Sequence, residues 1–205
     1  MQSIIQTREI PYLIHFTQLV NLESILANGI LTRDHASANQ LNYAYNDELR
    51  LDNHTDASCF SIGFPNYKMF FPLRKQTDDE AWVVLALHPK LLLEKDCAFY
   101  PTNAASSSVR HLDPNTLKGA QALEDMFSEI EGKPSRADLK IANHITTDPQ
   151  AEVLVFDQIE PHYIGGIATA SQNLANTLKA RYSGYDIQRV SGFFSARKDY
   201  QHWQG

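Results

Sequence analysis

Two spacings of apolar residues alternate along this chain, one suited to strands and one to helices. Tyr12 to Phe16 is apolar with His15 embedded, and predicts a first strand. Leu19, Leu22, Ile25 and Leu26 follow at helical spacing. Thr17 is placed to cap that helix, and Asn28-Gly29 supplies a residue pair that commonly ends one. Thr32 to Asn46 is polar and rich in Asn, Ala and Ser, a loop holding short helices at most; loops of this length often carry function. Ser58 to Phe64 predicts a second strand and Ala81 to Leu87 a third, after which Pro89 to Leu93 is a short turn or helix. Phe99-Tyr100-Pro101 opens a polar loop that runs to Arg110. Leu117, Ala120, Leu123, Met126, Phe127 and Ile130 then predict a helix that Gly132-Lys133-Pro134 breaks. Tyr163 to Ala170 reads as a strand whose Gly165-Gly166 pair suggests a bulge or a close backbone approach, Gln172 to Tyr182 as a helix, and Ile187–Arg189 with Phe193–Ala196 as last strand material. Short strands, few helices and long polar loops make the fold class α+β.

One strand stands apart from this pattern. Gln150-Ala151-Glu152-Val153-Leu154-Val155-Phe156 is an unbroken apolar run that begins with a carboxylate, bounded by Asp148-Pro149 and Asp157. Side chains alternate faces along a strand, so Glu152 shares a face with Leu154 and Phe156, while Ala151, Val153 and Val155 point the other way. An unpaired buried charge is costly. Glu152 is therefore either at a wet or Arg-paired strand end, or a catalytic acid on the floor of a cleft.

Composition narrows the classes. A length of 205 residues suits one domain spanning 1–205, and 43% hydrophobic with 20% charged residues is ordinary for a globular chain. The longest apolar stretch, Trp82 to Leu87, is strand-sized, so no membrane span is expected. Met1 to Ile10 lacks an apolar signal core, which points to a cytoplasmic protein. Cys59 and Cys97 follow no metal-ligand spacing and are expected to be reduced, buried thiols; no metal site is expected. The net charge of −6 counts against a generic whole-surface nucleic-acid binder but leaves room for a local basic groove. Glycine-rich phosphate loops of the Rossmann or P-loop kind are absent, which disfavours dehydrogenases and P-loop NTPases.

Three separated pieces carry polar residues that structure alone would not require: Ile14-His15-Phe16-Thr17, Asn46-Asp47-Glu48-Leu49-Arg50, and Glu152. Together they resemble the DarT family of ADP-ribosyltransferase toxins, which modify bases in single-stranded DNA. Leu13-Ile14-His15-Phe16-Thr17 with Asn21-Leu22 is similar to that family's opening His-x-Thr strand and helix. Tyr43-Ala44-Tyr45 with Glu48-Leu49-Arg50 is similar to the end of its NAD-binding loop, and Phe64-Pro65-Asn66 with Met69 to its Pro-centred turn and apolar helix. Gln150-Ala151-Glu152 matches its catalytic strand, and Ala196-Arg197-Lys198-Asp199-Tyr200 its C-terminal motif.

The resemblance implies an ADP-ribosyltransferase fold, with short mixed or antiparallel strands around an NAD cleft. It implies transfer of ADP-ribose from NAD, as substrate, to a DNA base with release of nicotinamide. Glu152 and Arg50 are then the catalytic pair, and His15, Thr17, Asn21, Tyr43 and Arg50 hold the dinucleotide. Tyr45, Arg74, Lys75, Arg110 and Lys140 are candidates for the nucleic acid, with Tyr67, Phe70 and Phe71 as further aromatic surfaces. The partners implied are single-stranded DNA and an antitoxin with ADP-ribosyl-hydrolase macrodomain activity. The segments Phe99–Arg110 and Asp113–Asp148 depart from thymidine-modifying members, which leaves guanine and thymine both open and leans the reading to guanine. An enzyme acting on RNA or protein, and a silent nucleotide-binding domain, are the alternatives.

Overall fold

A computed structural model describes residues 1–38, Ala44 and 54–204. After a short helix α1 (Gln2–Thr7), the chain forms β1 (Leu13–Gln18), α2 (Leu22–Asn28), α3 (Arg33–Ala38), β2 (Ser58–Ile62) and α4 (Tyr67–Gln76). It continues through β3 (Trp82–Leu87), α5 (Leu91–Glu94), β4 (Cys97–Tyr100), α6 (Gly119–Asp125), β5 (Glu152–Val155), β6 (Ile164–Thr169), α7 (Gln172–Arg181) and β7 (Ile187–Arg189). The strands make one mixed sheet in the order β4-β5-β2-β1-β3-β6-β7, antiparallel throughout except for the β6–β7 pair. The α+β expectation holds.

The larger core lies on one sheet face, where Val153 and Val155 meet Leu22 and Ile25 of α2, Leu123 of α6 and Leu174 and Leu178 of α7. A second cluster on the other face joins Ile14, Phe70, Trp82, Val84 and Phe194, and a third packs Leu154 with Tyr100, Ala104 and Val109. Leu154 thus lies apart from Val153 and Val155, as strand alternation requires. The Gly165-Gly166 bulge is present: β3–β6 pairing shifts register between Ala86 and Leu87, opposite those glycines. Gly29 closes α2 at φ +86, with its N–H on the Ile25 carbonyl.

Four expectations change. Phe99-Tyr100 belongs to β4, whose residues are all buried against β5; a four-residue strand ending at Pro101 has no period of its own to reveal it. The predicted helix from Leu117 to Ile130 is only α6, because Lys118 is extended and Gly119 sits at φ +89, while Met126 and Phe127 are buried beyond the helix end. Phe193–Ala196 is no strand: Ser191–Phe194 turns as a 3-10 helix. Thr17 caps nothing; α2 is preceded by a 3-10 turn at Leu19–Asn21 with no side-chain cap, and the Thr17 hydroxyl accepts from Asn21 instead.

Candidate active site

The site begins with an interruption in the sheet. β1 pairs with β3 along its whole length, Leu13↔Leu87 to Gln18↔Trp82. With β2 it pairs only at Leu13↔Ile62 and Ile14↔Ser61. Beyond Ile14 the two strands part, while β2 goes on pairing with β5 from Phe60↔Val153 to Ser58↔Val155. A cleft opens in the gap between them. His15, Thr17 and Asn21 line it from one side, Cys59 and Ser61 from β2, Asn66 and Met69 from the start of α4, and Asn103 and Glu152 from the far wall.

Glu152 is the first residue of β5 and is buried at 7% exposure, so the solvated strand end is not its situation. Its Oε2 accepts from the Ala104 N–H at 2.9 Å and its Oε1 from Asn103 Nδ2 at 3.4 Å. The Asn103 Oδ1 accepts from the Ala105 N–H, which fixes the turn that presents both donors. The loop after β4 therefore wraps the carboxylate and holds it against the cleft wall. Among the described residues lining the cleft, Glu152 is the only carboxylate.

His15 donates from Nδ1 to the Cys59 carbonyl at 2.9 Å, across the gap between the parting strands. Burial pushes its pKa down, and the Cys59 bond works the other way. The neutral ring donating at Nδ1 carries its lone pair on Nε2, so His15 offers the cleft an acceptor. Thr17 is buried and accepts from Asn21 Nδ2 at 3.0 Å. Asn21 closes both ends of its amide on one backbone unit: Nδ2 donates to the Ala44 carbonyl at 2.8 Å, and Oδ1 accepts from the Ala44 N–H at 2.9 Å. Asn21 thus anchors Ala44, between Tyr43 and Tyr45, to the cleft. Tyr43, Tyr45 and Arg50 themselves lie outside the described residues.

The nucleic-acid candidates divide. Arg74 is buried, ion-paired to Asp79, bonded to the Phe194 carbonyl at 2.8 Å and stacked near Phe70 and Phe194. This corrects its assignment as a phosphate contact: its guanidinium is used inside the fold. Phe70 is core, Tyr67 is buried, and only Phe71 is exposed, with the Lys75 ammonium over its ring. Lys75, Arg110 and Lys140 are exposed. Sequence reasoning missed Asn103, the Ala104 N–H and Asn66. An Asn followed by small residues after an aromatic strand end was the available signal for the first two.

At the C-terminus, Arg197 is buried and makes a compact knot. It donates to the Thr146 and Thr147 carbonyls at 2.8 and 2.7 Å and to both oxygens of Asp199 at 2.6 Å, and Trp203 Nε1 also donates to Asp199. Burial pushes the Asp199 carboxyl up, but the Arg197 bonds and charge, with Trp203, outweigh it and hold the group below the usual carboxylate range. Lys68 of α4 donates to the Trp203 carbonyl at 2.7 Å. The tail so straps the segment before Glu152 to the first turn of α4.

A family described as DarT, the ssDNA thymidine ADP-ribosyltransferase, matches residues 14–192. The chain belongs to the DarT family. The match runs through 99–148, the stretch that had favoured guanine over the thymidine-modifying members. Solved structures agree in fold. A Thermosipho africanus DarTG in complex with ADP-ribose superposes with a TM-score of 0.67 at 18% identity, covering 90% of this chain and 51% of that one. A Thermus sp. 2.9 DarT with NAD+ gives 0.56 at 15% identity, over 90% of this chain and 98% of that one. The same Thermus protein with ADP-ribosylated ssDNA gives 0.59 at 17% identity, over 90% and 96%. This DarT chain spans about half the length of the Thermosipho protein. No curated relative matches it by sequence. Among the described residues no helix is long and apolar enough to cross a membrane, and no cluster of side chains suits a metal ion.

Proposed function

We propose that this DarT chain transfers ADP-ribose from NAD to thymine in single-stranded DNA, releasing nicotinamide. The observation that carries the reading is the buried Glu152 carboxylate, held by the Ala104 N–H on the wall of a cleft that opens between β1 and β2. The bond between nicotinamide and its ribose breaks, nicotinamide leaves as a neutral base with the bonding pair, and the ribose carbon gains cationic character. A preorganised carboxylate stabilises that charge. Thymine is tied to its sugar through one ring nitrogen, so the other, which carries a proton, is the nitrogen that can attack. The new bond forms there and the proton departs to Glu152.

His15 Nε2 accepts from a hydroxyl or amide of the dinucleotide, and Thr17 borders the same molecule. Asn21 acts through Ala44, whose backbone it holds at the cleft. Arg50 supplies a planar fork for the pyrophosphate or the base, and is a poor base because it does not readily lose its proton. Lys75, Arg110 and Lys140 are the phosphate contacts. The family description favours thymine over guanine. The protein works in the cytoplasm as one catalytic domain over 1–205, its toxicity reversed by a macrodomain that hydrolyses the adduct; the DarTG neighbour supports a paired antitoxin.

Labelled NAD incubated separately with single-stranded oligonucleotides, duplex DNA, RNA and protein tests this. Label should enter thymine-containing single strands, and mass spectrometry should place it on the base. Extruding a base from a duplex costs a few kcal/mol, so duplex should label poorly. Labelling confined to guanine, RNA or protein would overturn the acceptor, and no labelling at all the activity.

A further inference from the structure

Asn66 is buried at 2% exposure and lines the same cleft as Glu152. Its side chain caps α4, with Oδ1 accepting from the Met69 N–H at 3.2 Å. That bond fixes which way the amide points, because turning it over would set an NH₂ against the Met69 N–H. The other end, Nδ2, is buried and has no hydrogen-bond partner among the described residues. A buried donor left unbonded costs about 1–3 kcal/mol, so a donor held this way at a cleft wall calls for an acceptor. The cap fixes the polarity of the amide: the end left unbonded is its donor, Nδ2.

Its place in the cleft says which part of the bound molecule it meets. Asn66 follows β2 closely, beyond Ser61, and Ser61 pairs with Ile14 at the closed end of the gap. Glu152 begins the neighbouring strand, one residue before the Phe60↔Val153 pair. Thr17 and Asn21 lie at the other end, further along β1 and beyond it. Asn66 is therefore grouped with the carboxylate, at the reacting end.

We propose that Asn66 orients the reactants by donating from Nδ2 to a carbonyl oxygen at that end. The assignment rests on the proposed transfer reaction. Two reactants present such an oxygen to the ribose carbon, the carboxamide of the nicotinamide group and a keto group of the thymine. A donor to either would hold the ring in line with the bond that breaks or forms.

Asn66→Asp tests this, since Asp is as good a cap as Asn and lacks the donor. Asn66→Ser keeps a capping oxygen without adding charge to the cleft. Asn66→Ser should keep the wild-type melting temperature within a few degrees, whereas Asn66→Asp also bears the cost of a buried charge; in both, kcat/KM for transfer falls about 10- to 100-fold, the range expected when a site's polar group loses its partner. If the carbonyl is nicotinamide's, NAD hydrolysis without DNA falls in step and inhibition by free nicotinamide weakens about tenfold. If it is thymine's, the KM for the oligonucleotide rises by more than NAD hydrolysis falls, and nicotinamide inhibition weakens by less than about twofold. Either pattern supports the donor.

Folded variants within twofold of wild type in all these measures would overturn it. Should neither variant fold, the side-chain amide resonances of Asn66 in the wild-type protein decide. They should shift when NAD or a thymine oligonucleotide is added, and unmoved resonances refute the contact. A wild type that neither hydrolyses NAD nor labels DNA defeats the proposed function and this assignment with it. A working wild type with an indifferent Asn66→Asp defeats the assignment alone.

Discussion

Two side chains in the cleft have opposite electrostatic requirements in the proposed reaction. Glu152 would serve a cationic carbon as a carboxylate, and the Ala104 N–H donates to its Oε2. Glu152→Gln keeps the shape and an acceptor for that N–H but removes the charge. Transfer should fall by about two to three orders of magnitude with little change in melting temperature; wild-type turnover in a folded Glu152→Gln protein would rule the carboxylate out. His15 must stay neutral to keep a lone pair on Nε2. Its depressed pKa means that the unfolded chain takes up the proton first as pH falls through about 6.5. The stability from keeping the ring neutral is full above that point and is lost between the unfolded pKa and the lower folded one. Wild-type melting temperatures should therefore decline as pH drops below about 6.5, and His15→Gln should flatten that part of the profile. An identical profile in the variant would place the acid sensitivity elsewhere.

At the scale of elements, the turn after α2 tolerates little change. Gly29 sits at φ +86 and ψ −178, a conformation reserved in practice for glycine. A Cβ there would lie 2.1 Å from the Ile159 carbonyl oxygen, which belongs to the bridge pairing Ile30 with Ile159. Gly29→Ala should thus cost about 3 kcal/mol or more, with strain and collision acting together. Gly132→Ala, at φ +76 with nothing within 4 Å of the added carbon, carries the strain alone, about 1 kcal/mol. For a chain of this size 1 kcal/mol shifts the melting temperature by about 2–4 °C, so calorimetry separates the two variants. Equal shifts would show that Ile159 moves aside.

Over the whole molecule, the Arg197 knot joins parts of the chain that no single element connects. It ties the tail to Thr146 and Thr147, ahead of β5, and Lys68 ties the same tail to α4. Arg197→Ala would strand a buried Asp199 and two carbonyls, and breaking a buried pair in this way costs about 3–5 kcal/mol. The expected result is a large drop in melting temperature with faster amide exchange in residues 142–150; exchange left unchanged there would show that the strap is not what holds that segment. Binding to DNA is a property of the whole surface. An acidic chain whose exposed candidates are Lys75, Arg110 and Lys140 should bind single strands weakly. With three phosphate contacts, the slope of log affinity against log salt is about −2. Lys75→Gln and Arg110→Gln should each flatten that slope by about 0.7, whereas Arg74→Gln should lower stability and leave it alone.

The sequence by itself determined what depends on neighbours along the chain. Alternation in Ala151–Phe156 assigned each side chain to its face, the apolar runs located β1, β2, β3 and β6, and Asn28-Gly29 ended α2 where a positive φ was needed. The motifs around His15 and Glu152 also pointed to the right family. What depends on contacts between distant segments came only from the tertiary structure. The strand at Cys97–Tyr100 exists because β5 pairs with it, and Arg74 left the phosphate set because Asp79 and Phe194 enclose it. The site is of the same kind. Its cleft exists because β1 stops pairing with β2 after Ile14, and its carboxylate is held by Ala104, 48 residues away in sequence. Residue type and local period carry no information about where a ladder parts or which loop closes over a charge; those are set by packing of the whole chain.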